Sequence, residues 1–587
     1  QIWLWGDNPM PFHLANLLIH LVNTGLVMLL AGRWFGRGWA VVAVGALYGL
    51  HPALVESVAF VSSRYDLLTT TFLLIALLSE MILTGWKRLV GVGVSFLLAL
   101  LCKEMAVVLW LLLPFWLWVK RRVGLVPSAS PVPALPLFGV LLGVSLVYLG
   151  VRYLSLGYLL QPETSAQIEP GSPLQHLLLV GRTLATLLGL VYFPFFSITP
   201  AHHSELPVSP QDFVAWVQLV VGLGMLGLFA WLGRRVSPYG WLLVGGVATL
   251  FPVLNLRPME FAYGIFTAER FLTFPLAVFL LGTTGIVMSM LRKAPVYRLA
   301  LALTVAWGVG FAVVTALSLP NWKDDEPFWQ WITRCAPNSP IGWSNLSDYY
   351  NKIGRHQEAL EYAERSIAIA PESGMGWVNK GVALLRLGDP EGAIAMFRKG
   401  TELEPDNIIG WNNLAVMLSE RGQLDEAEQI VRQHVLNKTP QFMGHQALGL
   451  IYTRRGRPDL AEEQFRLATQ QVSVPENSLA YNLLKEFETA TPWLAGAEQA
   501  IRRNELALAE SFLQRAERLQ PDRFAFGMIK ANLHLAQNRP REAEQALQEL
   551  LDYGYQDARI YGLLGLCAER QGDRKRAQQF YQKAQAQ

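Results

Sequence analysis

HPALVESVAFVSSRYD, residues 51–66, lies between two apolar runs at 39–50 and 67–83, each rich in Leu, Val, Ala and Ile. Both runs read as parts of membrane-spanning helices. Between them fall Glu56, Arg64 and Asp66, with His51 and Ser62 close by. Ionisable side chains beside hydrocarbon are costly, so a cluster of them at a helix junction points to a task. Two carboxylates and a guanidinium at one membrane edge suit chemistry on a charged, lipid-linked substrate. The plainer alternative is a polar loop that joins two helices.

Composition divides the chain in the same sense. Residues 1–320 hold 18 Lys+Arg and 11 Asp+Glu, leaving 31 of the 49 basic and 35 of the 46 acidic residues to the last 267. The charge-poor part, with repeated apolar runs of near 20 residues, reads as a polytopic membrane domain, and the rest as soluble. A net charge of +3 over 587 residues argues against nucleic acid as a partner. Cys102, Cys335 and Cys567 are too scattered for a disulfide framework or a metal site. The chain starts at Gln1 and carries no signal peptide, so more sequence is expected upstream.

Outward from the opening stretch, a first helix is expected over about residues 12–30, with His13, Asn16 and His20 on one face. That stripe suits either a site or packing against a neighbouring helix. Arg33/Arg37, Lys87/Arg88 and Lys120–Arg122 sort to the cytoplasmic side by the positive-inside rule. Glu56, Asp66, Lys103 and Glu104 then share the opposite, outer edge, and a helix over about 133–153 brings Arg152 there. Residues 161–173 read as an outer loop. The run 174–196 is ambiguous: a full crossing would put His202, His203 and Glu205 inside. With Arg234/Arg235 and Arg292/Lys293/Arg298 cytoplasmic and 257–270 outer, parity requires that run to re-enter or lie along the interface. His202 and His203 are adjacent, a weak arrangement for a metal. The last helix, about 299–319, leads through a Trp-rich polar linker.

Beyond the linker the sequence repeats. Gly354, Gly388, Gly422 and Gly456 are 34 apart; after a step of 48, Asn504, Asn538 and Gly572 resume that spacing. Ala359, Ala393, Ala427, Ala461, Ala509, Ala543 and Ala577 keep the same intervals, Trp343, Trp377 and Trp411 keep time with them, and Pro371, Pro405 and Pro521 close repeats. Small Ala lets two helices approach, and Gly or Asn accepts the tight turn between them. The pattern resembles the tetratricopeptide repeat. Seven helix pairs are expected over 339–587, with 14 extra residues near 476–489. Asn345, Asn379 and Asn413 sit two residues after each Trp and could grip the backbone of an acceptor polypeptide in the groove. They resemble the asparagine ladder of the nucleocytoplasmic O-linked N-acetylglucosamine transferase; the alternative is three solvated amides carried along with the repeat.

GDNPMPFHLANLLIH, LHPALVESVAFVSSRYDLL, CKEMAV and FPVLNL followed by AERFLTFP resemble, in that order, the multispanning C-type glycosyltransferases with C-terminal tetratricopeptide repeats, among them the transmembrane-and-tetratricopeptide O-mannosyltransferases. The resemblance covers nearly the whole chain. It implies an all-α architecture: a membrane glycosyltransferase domain over 1–320, N-terminally incomplete, a linker over 321–338 and a repeat solenoid over 339–587. It further implies transfer of a mannose-like sugar from a polyprenyl-phosphate donor to Ser/Thr hydroxyls on the non-cytoplasmic side. Glu56 or Asp66 would take the acceptor proton. Arg64, Lys103, Arg152 and Arg270 are the cations for the leaving phosphate, with Glu104 and Glu269 holding Lys103 and Arg270, and His51 in support. Each cation could instead be an interfacial anchor. No cofactor is called for, and the need for a divalent metal is left open.

The family places its catalytic acid in a first outer loop ahead of a second helix. That helix and loop are absent here, and Asp7 is too close to the first helix to replace it, so the native chain is expected to supply them upstream. Competing readings are an oligosaccharide ligase acting on lipid-linked glycans and a non-enzymatic membrane-anchored scaffold. A transporter is disfavoured because the charges gather at one edge and not at the midplane.

Overall fold

The computed structural model describes residues 9–125, 134–158, 171–195, 198–204, 206–256, 265–290, 296–438, 441–470 and 478–587. Asp7, most of the loop from residue 161, Glu205, Arg257, Arg292, Lys293 and Glu476 lie outside them. The chain is all-α apart from one two-stranded ribbon among the described residues, and it forms two compact units, Gln1–Tyr349 and Tyr350–Gln587.

The first unit is built from apolar helices: α1 (Met10–Phe35), α2 (Trp39–Gly49), the short α3 (Val55–Ala59), α4 (Arg64–Ile82), α5 (Gly85–Cys102), α6 (Val108–Arg122), α7 (Leu135–Leu156), α8 (Pro173–Tyr192), α9 (Phe213–Arg235), α10 (Gly240–Thr249), α11 (Thr273–Met290) and α12 (Val296–Ser318). Strands β1 (His202–His203) and β2 (Ile265–Thr267) pair antiparallel. Among the described residues eight helical segments are long and apolar enough to cross a membrane, and α2 with residues 52–59 would make a ninth, bent by 52°. Tyr48, Phe96, Trp116 and Phe279 lie fully buried at the centre of the bundle.

The bend follows from two residues. Pro52 has no N–H to donate and forces the residue before it out of the helical region. His51 is accordingly extended, at φ −68° and ψ 123°. Its Nδ1 accepts the Ala53 N–H at 3.3 Å, and its Nε2 donates to the Val191 carbonyl at 3.2 Å. The chain then restarts as α3, which carries Glu56.

The run 174–196 forms helix α8 as far as Tyr192. It runs beside α9 in the same direction: Gly181 packs on Leu219, Leu184 lies against Gly222, and Tyr192 meets Phe229. The chain then comes back, since Ser204 accepts a hydrogen bond from Arg182, a residue nearly three turns before the helix ends. The chain therefore doubles back along α8 before α9 begins.

The second unit repeats at 34 residues for the reasons legible in its sequence. Gly354, Gly388, Gly422, Gly456 and Gly572, and likewise Asn504 and Asn538, all take positive φ between 57° and 91°. The seven Ala positions are buried, six of them at 0% exposure. Each of Trp377 and Trp411 also donates its indole N–H to the carbonyl of the Pro six residues earlier, Pro371 and Pro405, at 2.8 and 3.0 Å. The widened step contains an added helix, Leu479–Glu486.

Candidate active site

Two ion pairs meet around Phe271. Helix α3 presents Glu56, 2% exposed, to the turn Glu269–Leu272. One Glu56 oxygen accepts the Arg270 guanidinium, and the other accepts the Arg270 backbone N–H at 3.0 Å. Asp66, in the first turn of α4, where a helix N-terminus favours negative charge, accepts Lys103 Nζ at 2.5 Å. Lys103 ends α5 in extended backbone, which swings its side chain out of the helix row. Lys103 Nζ and the Arg270 guanidinium lie 5.2 and 5.4 Å from the centre of the Phe271 ring, and Arg270 also covers Phe60 at 5.7 Å. Residues separated by more than 200 positions thus place two carboxylates and two cations about one aromatic ring.

Behind Glu56 lies Glu269, which does not hold the Arg270 side chain as its neighbouring position suggested. It is buried, accepts the Thr199 N–H at 2.7 Å and sits 3.5 Å from His202 Nε2. Burial pushes the His202 imidazole down to about 4, against a weaker opposing pull from the Glu56 charge. His202 is therefore neutral at pH 7 in the fold. Because unfolded His binds its proton near pH 6.5, the unfolded chain carries more protons between pH 6.5 and 4, and stability falls as pH drops through that window. The His202 share of that loss is up to about 3 kcal/mol. Thermal unfolding of detergent-purified protein at pH 7 and 4.5 checks it as a difference: His202→Gln should lose less midpoint on acidification than the parent, and an equal acid sensitivity in both proteins would refute the assignment.

Other expected site residues go elsewhere. Glu104 does not hold Lys103; its side chain is 67% exposed and faces Arg152 at 3.9 Å, while Arg152 donates to the Tyr148 hydroxyl. Arg64 is engaged by α1: its Nε donates to Asn16 Oδ1 and its Nη2 to the Phe12 carbonyl, both at 2.9 Å. His51 serves the bend described above. Two members of the α1 stripe pack, with Asn16 donating to the Val58 and Phe60 carbonyls and His20 bonded to the Gly49 carbonyl, while His13 stays exposed; Asn23, further along α1, donates to the Leu67 carbonyl. These bonds lace the broken helix to α1 and fix where Glu56 sits. His202 and His203 turn to different surroundings, Glu269 for one and the Arg182–Asp212 pocket for the other, so the pair does not chelate one ion.

Two spaces adjoin the ion pairs. A cavity of about 40 Å³ is lined by Asp66, Lys103, Phe271, Thr69, Thr70 and Thr273. At roughly 10–15 Å³ per water it holds about three. The Thr69 hydroxyl lining it has no partner among the described residues. Val55, Val58 and Ala59, which flank Glu56 along α3, wall a groove of about 750 Å³ that α1, Leu319 and Trp322 complete. Its lining is mainly apolar, with His13, His20, His51, Thr315 and Lys323 among it.

Sequence reading missed one buried charge cluster. Glu80, 2% exposed, accepts Arg88 at 2.6 Å, Lys120 at 2.9 Å and the Trp116 indole N–H at 2.9 Å. Its signal was a lone carboxylate inside the apolar run 67–83. In the repeat array Asn345, Asn379 and Asn413 are half-buried at equivalent points of their helices, and the Asn345 amide donates back to the Ile341 carbonyl at 2.9 Å.

Tetratricopeptide-repeat family models match residues 342–373, 376–407, 396–429 and 530–587. Among curated proteins, the protein O-mannosyl-transferase Tmtc1 of Drosophila melanogaster is 39% identical over 110 residues, which is 18% of this chain and 13% of that protein. Drosophila Tmtc2 is 38% identical over 111 residues, 17% of this chain and 12% of its own length. TMTC2 of Mus musculus is 34% identical over 73 residues, 12% of this chain and 9% of that protein. The matched stretches thus span about an eighth or less of these relatives, between 9% and 13% of their length. The chain is similar to transmembrane, repeat-bearing O-mannosyltransferases.

Proposed function

We propose that this chain transfers a mannose-like sugar from a polyprenyl-phosphate donor to Ser or Thr hydroxyls of polypeptides on the non-cytoplasmic side of a membrane, with the repeat groove and its Asn345, Asn379 and Asn413 amides presenting the acceptor. The observation that carries it is the pairing of Asp66 with Lys103 and of Glu56 with Arg270 around Phe271. The mainly apolar groove along α3 suits the isoprenoid chain, and the names of the relatives support sugar transfer to protein.

The resting pairs give the groups separable tasks. Arg270 is oriented through both Glu56 oxygens, so Glu56 acts by positioning a cation. Lys103 is held by a single carboxylate oxygen and can turn from Asp66 to an arriving phosphate. That exchange frees Asp66 to take the acceptor proton as the hydroxyl oxygen bonds to the anomeric carbon and the bond from that carbon to the phosphate oxygen breaks. The released polyprenyl phosphate gains negative charge, which Lys103 and Arg270 stabilise; a phosphate needs no proton to leave, so cations serve better than a general acid.

The test is transfer of radiolabelled mannose from a polyprenyl-phosphate donor to a Ser/Thr-rich polypeptide by the protein purified with its native upstream sequence. Asp66→Asn should cut transfer by about 10²–10⁴-fold, the range for loss of a general base. No transfer by the parent, or an Asp66→Asn protein within threefold of it, would remove the reading.

A further inference from the structure

We infer that the polar pocket beside β1 is a binding site for a neutral saccharide. The pocket, about 440 Å³, is lined by Arg182, His203, Ser209, Gln211, Asp212 and Asn338. Its size falls within the roughly 300–1,000 Å³ of small-molecule sites. Its lining differs from theirs in being polar throughout.

The pocket is built before any ligand arrives. Arg182 projects from helix α8 and is clamped from three directions, by Gln218 at 2.8 Å and by Ser204 and Asp212. Asp212 caps α9, accepting the Val214 and Ala215 N–H groups at 2.9 and 3.2 Å. Burial would raise its carboxyl, but the bonds from Arg182 and those two N–H groups outweigh this and hold it below the usual range. The loop ahead of it is pinned twice, by Gln211 N–H on Ser209 Oγ at 3.2 Å and by the Trp216 indole on the Pro210 carbonyl at 2.9 Å. Fixed polar groups lose little freedom on binding.

Charge and hydrogen-bonding capacity then select the ligand. Arg182 and Asp212 cancel, which disfavours a phosphate or a free carboxylate. Three bonds among the described residues leave two of the five guanidinium N–H donors unused. Gln211 and Asn338 each add an amide that both donates and accepts. Hydroxyls do the same, and a ring bearing adjacent hydroxyls matches planar amide and guanidinium groups pairwise. Adjacent positions of a strand face opposite ways, and here His202 faces Glu269 while His203 lines the pocket. A sugar held there would sit one strand away from the ion pairs, as a unit already on the acceptor or product would.

Only the choice of mannosides as probes rests on the transferase reading. The test measures methyl α-D-mannopyranoside and α-linked mannobiose binding to the full chain in detergent by saturation-transfer NMR and calorimetry. Gln211→Ala and Asn338→Ala, each removing one hydrogen-bonding group, should weaken binding about 3–10-fold. Asp66→Asn should leave it unchanged. Binding that survives both pocket changes, displacement of the sugar by a Ser/Thr peptide, or no binding of either mannoside would overturn the inference. Binding sensitive to the pocket in a chain that fails to transfer mannose would uphold the pocket and sink the transferase.

Discussion

Replacing Arg270 by Ala should lower sugar-transfer turnover by about 10²–10³-fold, the cost of removing one preorganised charge stabiliser from a reaction centre. The same change strips Glu56 of its side-chain partner while leaving it buried, with only the residue 270 N–H to receive it. Breaking a buried pair from one side costs about 3–5 kcal/mol because a charge is left uncompensated. Activity and stability would then fall together, which a single variant does not separate. Glu56→Met combined with Arg270→Met removes both charges and should recover most of the thermal midpoint lost by Arg270→Ala. Turnover should stay down if the guanidinium acts on the donor phosphate. Recovery of turnover along with stability would show that Arg270 is only half of a structural pair. Arg270→Lys should fall between, since a point charge keeps the attraction but not the two-pronged geometry.

The residues of this site were legible in the sequence, but their partners were not. Glu56, Asp66, Lys103 and Arg270 stood out because each interrupts an apolar run at a junction. The pairing was then assigned to chain neighbours, Glu104 for Lys103 and Glu269 for Arg270. Neighbours along a helix or strand point in different directions, so adjacency is a poor guide to contact. The true partners come from α4 and α3, and only the bend at His51–Pro52 brings α3 to the turn that carries Arg270. The repeat array was legible because its rule is local: a positive-φ turn and a buried small residue recur at fixed spacing. Helix α8 was half legible. Its length and apolar character could be read along the chain, and the return of Ser204 to Arg182 could not.

Glu80→Ala is expected to be the most destabilising change in the membrane unit without being a catalytic one. Glu80 receives Arg88, Lys120 and the Trp116 indole, so it joins α4, α5 and α6 through one buried carboxylate. Removing it leaves Arg88 and Lys120, 5% and 8% exposed, as two buried cations facing each other. The cost should be about 3–5 kcal/mol, read as a marked drop in the thermal midpoint in detergent. Replacing the whole cluster, with Glu80→Leu, Arg88→Met and Lys120→Met, should be near neutral, since the desolvation of three charges disappears along with their attraction. Glu80 lies fourteen residues beyond Asp66 on α4, about 21 Å at 1.5 Å per residue, so the helix is fastened by ion pairs at both ends. The far pair fixes the helix, and the near one faces the cavity. Turnover per folded molecule of the triple variant should therefore stay within about threefold of the parent, whereas Asp66→Asn should lower it by about 10²–10⁴-fold. If the triple variant folds but loses transfer, the Glu80 cluster sets the depth of Asp66 and must be counted among the groups that position the base.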